Sequence, residues 1–153
     1  MDDRPAKQRF DELATLLAFD EAAVSALRAS LSLLMPRVSE LVQAFDGALK
    51  RAPASLFGSL EGERRDTLQS LAANFVLRTI SCNFDEDYCN FVAATARNAD
   101  LPGHFIELSL TVTQDVVMRA LPGLQRDLDK LAQALSAWAK LISMLKILSA
   151  PGT

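Results

Sequence analysis

A chain of 153 residues, half of them hydrophobic and 23% charged, has the size and make-up of one globular domain. Its formal charge of −3 supplies no basic patch, which excludes nucleic acid and an anionic membrane surface as expected partners. Cys82 and Cys89 are too few for a disulfide framework, and the opening MDDRPAKQRF lacks the apolar core of a signal peptide, so a cytoplasmic protein is expected.

No run alternates apolar and polar residues between turn signals, so the expected fold class is all-α with no strand. About eight residues at the start read as untethered, with one domain following over residues 9–150. Phe10, Leu13, Leu16 and Leu17 mark a short first helix. Asp20 is placed to cap a second, which carries Val24, Leu27, Leu31 and Leu34 on one face. Pro36 then opens or kinks a third, with Val38, Leu41, Val42, Phe45 and Leu49 at helical spacing.

After RAPASLFGSLEG, the residues Leu68, Leu71, Phe75 and Thr79 line one face of the next helix. A further helix begins at Asn83 or Asp85, where Asp85, Glu86 and Asp87 suit the positive end of its dipole. It turns Tyr88, Phe91, Val92 and Thr95 or Ala96 inward. Phe105, Leu108, Val112, Val116 and Leu121 mark another, closed by the turn signal Pro122-Gly123.

The last helix, expected from Leu124 to Ser149, is the most regular. Leu124, Leu128, Leu131, Leu135, Trp138, Ile142 and Leu145 alternate gaps of four and three residues, a heptad seam that packs helix on helix. Leu141, Met144, Ile147 and Leu148 add apolar surface beside the seam. Either the helix is simply the centre of the core, or it serves the core and a homodimer together. Lys140, Lys146 and the serines make the stretch too polar for an expected bilayer span.

The succession LLAFDEAAVSALRASLSLLMPRVSELVQAFDGALKRAPASLF, FVLRTISCNFDEDY, LPGHFIELSL and LAQALSAWAKLISMLKIL resembles the sensor domain of the globin-coupled sensors. The resemblance spans about Phe10 to Leu148 and rests on the order of segments, since no single motif in it is specific. It implies a globin-like fold with a long C-terminal helix and no D helix. It also implies a homodimer through the last two helices, here through Leu128, Leu131, Leu135, Trp138, Leu141, Ile142 and Leu145.

Haem-binding members of that family carry an iron-ligating histidine five residues before a Leu-Pro helix exit. Ala96 occupies that place here, or Ala99 if the match is anchored on Tyr88. A phenylalanine-tyrosine pair that steadies bound oxygen is matched by Phe45-Asp46, and a polar threonine position by Leu71. Alanine cannot bind iron. The only histidine, His104, lies beyond the helix end and reads as a loop or capping residue rather than a ligand. Tyr88, Cys82 and Cys89 are weaker substitutes still. No haem and no metal are therefore expected.

Phe45, Asp46, Leu71, Phe75, Val92, Ala96 and Phe105 are the candidates to line a ligand pocket. Asp46 is either a solvent-facing carboxylate or a cavity group whose pKa desolvation would raise. Arg37, Arg64, Arg65 and Arg78 read as solvated helix faces, and Arg97 as a candidate to hold an anion. No nucleophile-base pair, phosphate loop or carboxylate dyad appears, so no enzyme is expected.

The leading expectation is a non-haem sensor globin, a dimeric signal-input module. It would act on a signalling partner or a fused output domain. The resemblance extends to haem-less globins among stressosome regulators and sporulation-kinase decoys, which implies an apolar ligand such as a fatty acid. The alternatives are a haem-based gas sensor and a pure protein-interaction module.

Overall fold

Short acidic caps set where several of the helices begin. In the computed structural model, which describes residues 3–51, 62–81, 83–98, 101 and 105–150, the elements are α1 (Ala6–Leu17), α2 (Glu21–Leu34), a 3-10 turn (Met35–Arg37), α3 (Val38–Arg51), α4 (Glu63–Ile80), α5 (Glu86–Ala96), α6 (Phe105–Leu124) and α7 (Leu128–Ser149). No strand occurs among the described residues. Asp20 accepts from the Ala23 amide, Asp85 from Tyr88, and Asp127 from Asp129 and Lys130. Each carboxylate satisfies amides that the first helical turn leaves without a partner. The expected absence of a D helix concerns residues 52–61, which lie outside the described ones.

Helix α1 starts at Ala6, inside the stretch read as an untethered N-terminus. Ala6 and Phe10 are buried, and the Arg9 guanidinium reaches the Leu148 carbonyl at 3.4 Å. The helix ends on Ala18, whose left-handed φ of 55° is unusual for a residue with a side chain. That turn drops Phe19 into the core, and the Ala18 carbonyl accepts from the Lys140 ammonium of α7.

Helix α6 departs from the sequence reading. Pro122-Gly123 does not end it; both lie in its last turn, which Gln125 closes by donating to the Leu121 carbonyl at 2.8 Å. Proline there removes one ladder donor near a helix end, a milder loss than in the middle. Leu124 therefore belongs to α6, and α7 starts at Leu128 behind the Asp127 cap.

The core is built around α7, which packs against α1, α2, α5 and α6. This decides the fate of the heptad seam. Trp138, Leu141, Ile142 and Leu145 are each 2% exposed or less, so the chain's own helices cover them. They are not surplus surface for a partner, because α1 and α5 pack on sides of α7 that the sequence reading left open. Leu131 and Leu135 are half-buried and Leu128 is 79% exposed. By length and composition alone α7 is apolar enough to cross a bilayer, despite Lys140 and Lys146. In this fold Trp138, Leu141, Ile142, Met144, Leu145 and Leu148 fill the core, while Leu128 and Ile147 stay exposed.

One polar contact locks α2 to α7. The Trp138 indole N–H donates to Ser30 Oγ at 2.8 Å, and Ser30 passes its own proton to the Leu27 carbonyl at 2.6 Å. Trp138 is 1% exposed and Ser30 3%, so water cannot replace either partner. Ser30→Ala leaves the indole N–H buried and unpaired, and is expected to cost about 1–3 kcal/mol in urea unfolding. In a Trp138→Phe background the same change should cost distinctly less.

Candidate functional site

Helix α5, which ends on the residue matched to the family's iron-ligating histidine, is joined directly to α4 by side chains. The Tyr88 hydroxyl lies 2.8 Å from Thr79 Oγ1. Thr79 already directs its proton to the Phe75 carbonyl at 2.9 Å, so Tyr88 is the donor in their contact. Phe75 and Phe91 meet with ring centres 6.1 Å apart. The Arg78 guanidinium lies 4.0 Å above the Phe91 ring, close enough for a cation–π contact. From the other side Phe84 contacts Phe10, Phe19 and Tyr88 at 5.5–5.8 Å between centres.

Potential iron donors on α5 are thus committed elsewhere. Tyr88 is 2% exposed and hydrogen-bonded, and Cys89 is fully buried. Burial pushes the Cys89 thiol up to about 11, so it stays protonated near neutrality. Ala96 ends the helix in an exposed position. Ala99, Cys82 and His104 lie outside the described residues.

The described apolar cavity is elsewhere. It holds about 180 Å³ between α3, α4 and α6, lined chiefly by Leu41, Val42, Phe45, Ala72, Val76 and Val112. Of the pocket candidates from sequence only Phe45 lines it. Phe75 packs toward α5, Val92 is buried within α5, Leu71 is half-buried, and Phe105 stands edge-on to Phe45 at 6.3 Å. The cavity occupies a different face of α4, the one carrying Gln69, Ala72, Ala73, Val76 and Leu77. A second void of about 40 Å³ shares Val38, Leu41, Val76 and Thr113 with it and reaches Trp138.

Asp46 does not behave as a desolvated cavity acid. Its carboxylate meets Arg65 at 2.6 Å and Lys50 at 3.1 Å, and hydrogen bonds from these two cations hold its pKa below 3.8. Arg65 is therefore a strut between α4 and α3 rather than a solvated face, and Arg78 covers Phe91. Sequence spacing could not reveal either contact, since both join separate helices. The cavity did leave a trace: the small pair Ala72-Ala73 sits on α4 where larger side chains would close the space.

Compared with known families, residues 6–145 match the protoglobin model. The chain belongs to the protoglobin family. No curated protein and no solved structure matches it. The family agrees with the all-α globin-like architecture, and it makes this protoglobin a globin-like sensor domain.

The Asp46 cluster gives a signed expectation for this protoglobin. A carboxyl whose folded pKa lies below its ordinary value stabilises the fold above that value and ceases to do so as pH falls through the folded one. Asp46→Asn should lower the melting temperature slightly at pH 7. It should also flatten the loss of stability below pH 3.8, seen in melting curves across an acid series.

Proposed function

We propose that this protoglobin is a sensor domain that works without haem. In this reading it receives its signal as an apolar ligand or a protein contact, and passes it on through α6 and α7. The observation that carries the proposal is the state of the proximal helix. Globin iron needs a strong axial donor, and α5 offers only a hydrogen-bonded tyrosine and a buried, protonated thiol. The aromatic and hydrogen-bonded contacts between α4 and α5 further support it, since they join the two helices directly through side chains. Nothing in the residues suggests catalysis, so the domain acts by binding. A cytoplasmic location and a signalling partner or fused output domain complete the proposal; a fatty acid is the ligand class the family resemblance implies, but the cavity of about 180 Å³ favours a smaller apolar molecule.

The test is titration with haemin, then reduction and exposure to carbon monoxide. The expected result is no sharp Soret band at one haem per chain. A stoichiometric band that His104→Ala abolishes would make that histidine the iron ligand and the domain a haem-based gas sensor.

The domain is also proposed to act as a homodimer through α6 and α7. The supporting surface is smaller than the seam suggested, because Trp138, Leu141, Ile142 and Leu145 are inside the chain. What remains is Leu128, 79% exposed, with Leu131 and Leu135 half-buried along one face at the start of α7, and Ile147, 52% exposed, near its end. Leu128→Asp is expected to shift sedimentation from dimer to monomer without loss of helical content. An unchanged dimer would place the interface elsewhere, and a monomeric parent would remove this part of the proposal.

A further inference from the structure

We propose that the cavity between α3, α4 and α6 is a binding site for a small uncharged apolar molecule, about the size of a benzene ring or a short alkyl chain. The inference rests on the reading of the chain as a haem-less sensor of apolar ligands, and narrows the ligand class.

Size sets the first limit. The cavity holds about 180 Å³. Sites for larger organic ligands usually start at about 300 Å³. A dry apolar cavity of roughly 150 Å³, on the other hand, is known to take up benzene or xenon. A long acyl chain needs more room than the cavity offers, and a porphyrin far more.

Chemistry sets the second. Phe45, Leu41, Val76, Ala72 and Val112 present carbon, and the polar lining residues are Gln69 and Thr113. Thr113 gives its hydroxyl proton to the Ser109 carbonyl at 2.7 Å. Gln69 is half-buried. Among the described residues no buried side-chain nitrogen or oxygen lacks a partner, so a polar ligand finds no waiting donor or acceptor. Of the charged residues beside the lining, Asp46 pairs with Arg65, Glu40 with Arg37 and Asp115 with Arg119, and Arg78 lies over the Phe91 ring. A carboxylate head would have to compete for a cation already engaged, so a neutral molecule is favoured.

Access and readout follow from the same residues. Val42 and Leu77, 39% and 53% exposed, form the outer lip between α3 and α4. The inner wall, Val38, Leu41, Val76 and Thr113, is shared with the smaller void that ends at Trp138. A molecule seated in the cavity presses on that wall, and the chain's single tryptophan lies behind it. Occupancy is therefore reported on α7, the helix at the centre of the core.

The experiment titrates the full chain with benzene and, separately, with decanoate, following Trp138 emission and the melting temperature. Benzene is expected to give a saturable change in emission and a rise in melting temperature, while decanoate gives neither. Ala73→Phe, which fills the space from α4, should lose the benzene response while keeping its helical circular dichroism. If that variant does not fold, Val112→Phe fills the same space from α6 and carries the same expectation. No saturable benzene response, or a folded filled variant that binds as the parent does, overturns the site. Binding of decanoate alone overturns the size and charge limits but leaves an apolar-ligand sensor standing. A stoichiometric haem band would instead sink the haem-less reading on which the inference rests.

Discussion

Helix α5 is held by side chains of α1 and α4 and packs on α7, and where free volume is left beside α4 depends on that attachment. The Tyr88 hydroxyl donates to Thr79, Phe91 rests on Phe75 under the Arg78 guanidinium, and Phe84 sits among Phe10, Phe19 and Tyr88. Each aromatic pair contributes about 0.5–1.5 kcal/mol beyond its burial, and a hydrogen bond a similar net amount. The sum is enough to keep a helix of eleven residues docked, which on its own would be marginal in water. In a haem globin an iron bond contributes to fixing the corresponding helix. Here the protein matrix is proposed to do so alone.

With α5 fixed against one face of α4, free volume remains on another. Ala72 and Ala73 line it from α4 and Leu41 and Phe45 from α3, with Gln69 and Thr113 as the polar lining residues. Its inner wall is shared with the smaller void that reaches Trp138, which the Ser30 hydrogen bond ties to α2. A core of this kind changes by discrete rearrangement rather than smooth deformation. That suits a domain whose output is proposed to pass through its last two helices.

Much of the fold was legible in the sequence, for local reasons. Asp20 and Asp85 could be read as caps because capping depends on neighbours in the chain, and helical spacing identified the buried faces of Leu27, Phe75 and Leu121. Pro122-Gly123 misled because proline at a helix end costs little, so the dipeptide need not mark a turn. The apolar excess on the last helix misled for a different reason. Counting apolar positions cannot say how many neighbours a helix has, and α1, α2, α5 and α6 all pack on α7. The candidate site was the least legible part. Family alignment placed a pocket around Ala96 and Asp46, whereas the rotation of α4 decides which of its faces borders open space. Asp46 illustrates the limit: only the fold brings Arg65 to it and turns a suspected titrating acid into an ion-pair partner.

The central claim is that α5 is a fixed helix without any prosthetic group, and hydrogen exchange of the haem-free protein tests it most directly. The account predicts that amides of residues 86–96 exchange slowly, approaching the protection of α7, and that Tyr88→Phe with Thr79→Val speeds them selectively. Exchange of these amides at the rate of an unfolded chain, with protection arriving only on addition of haemin, would contradict it.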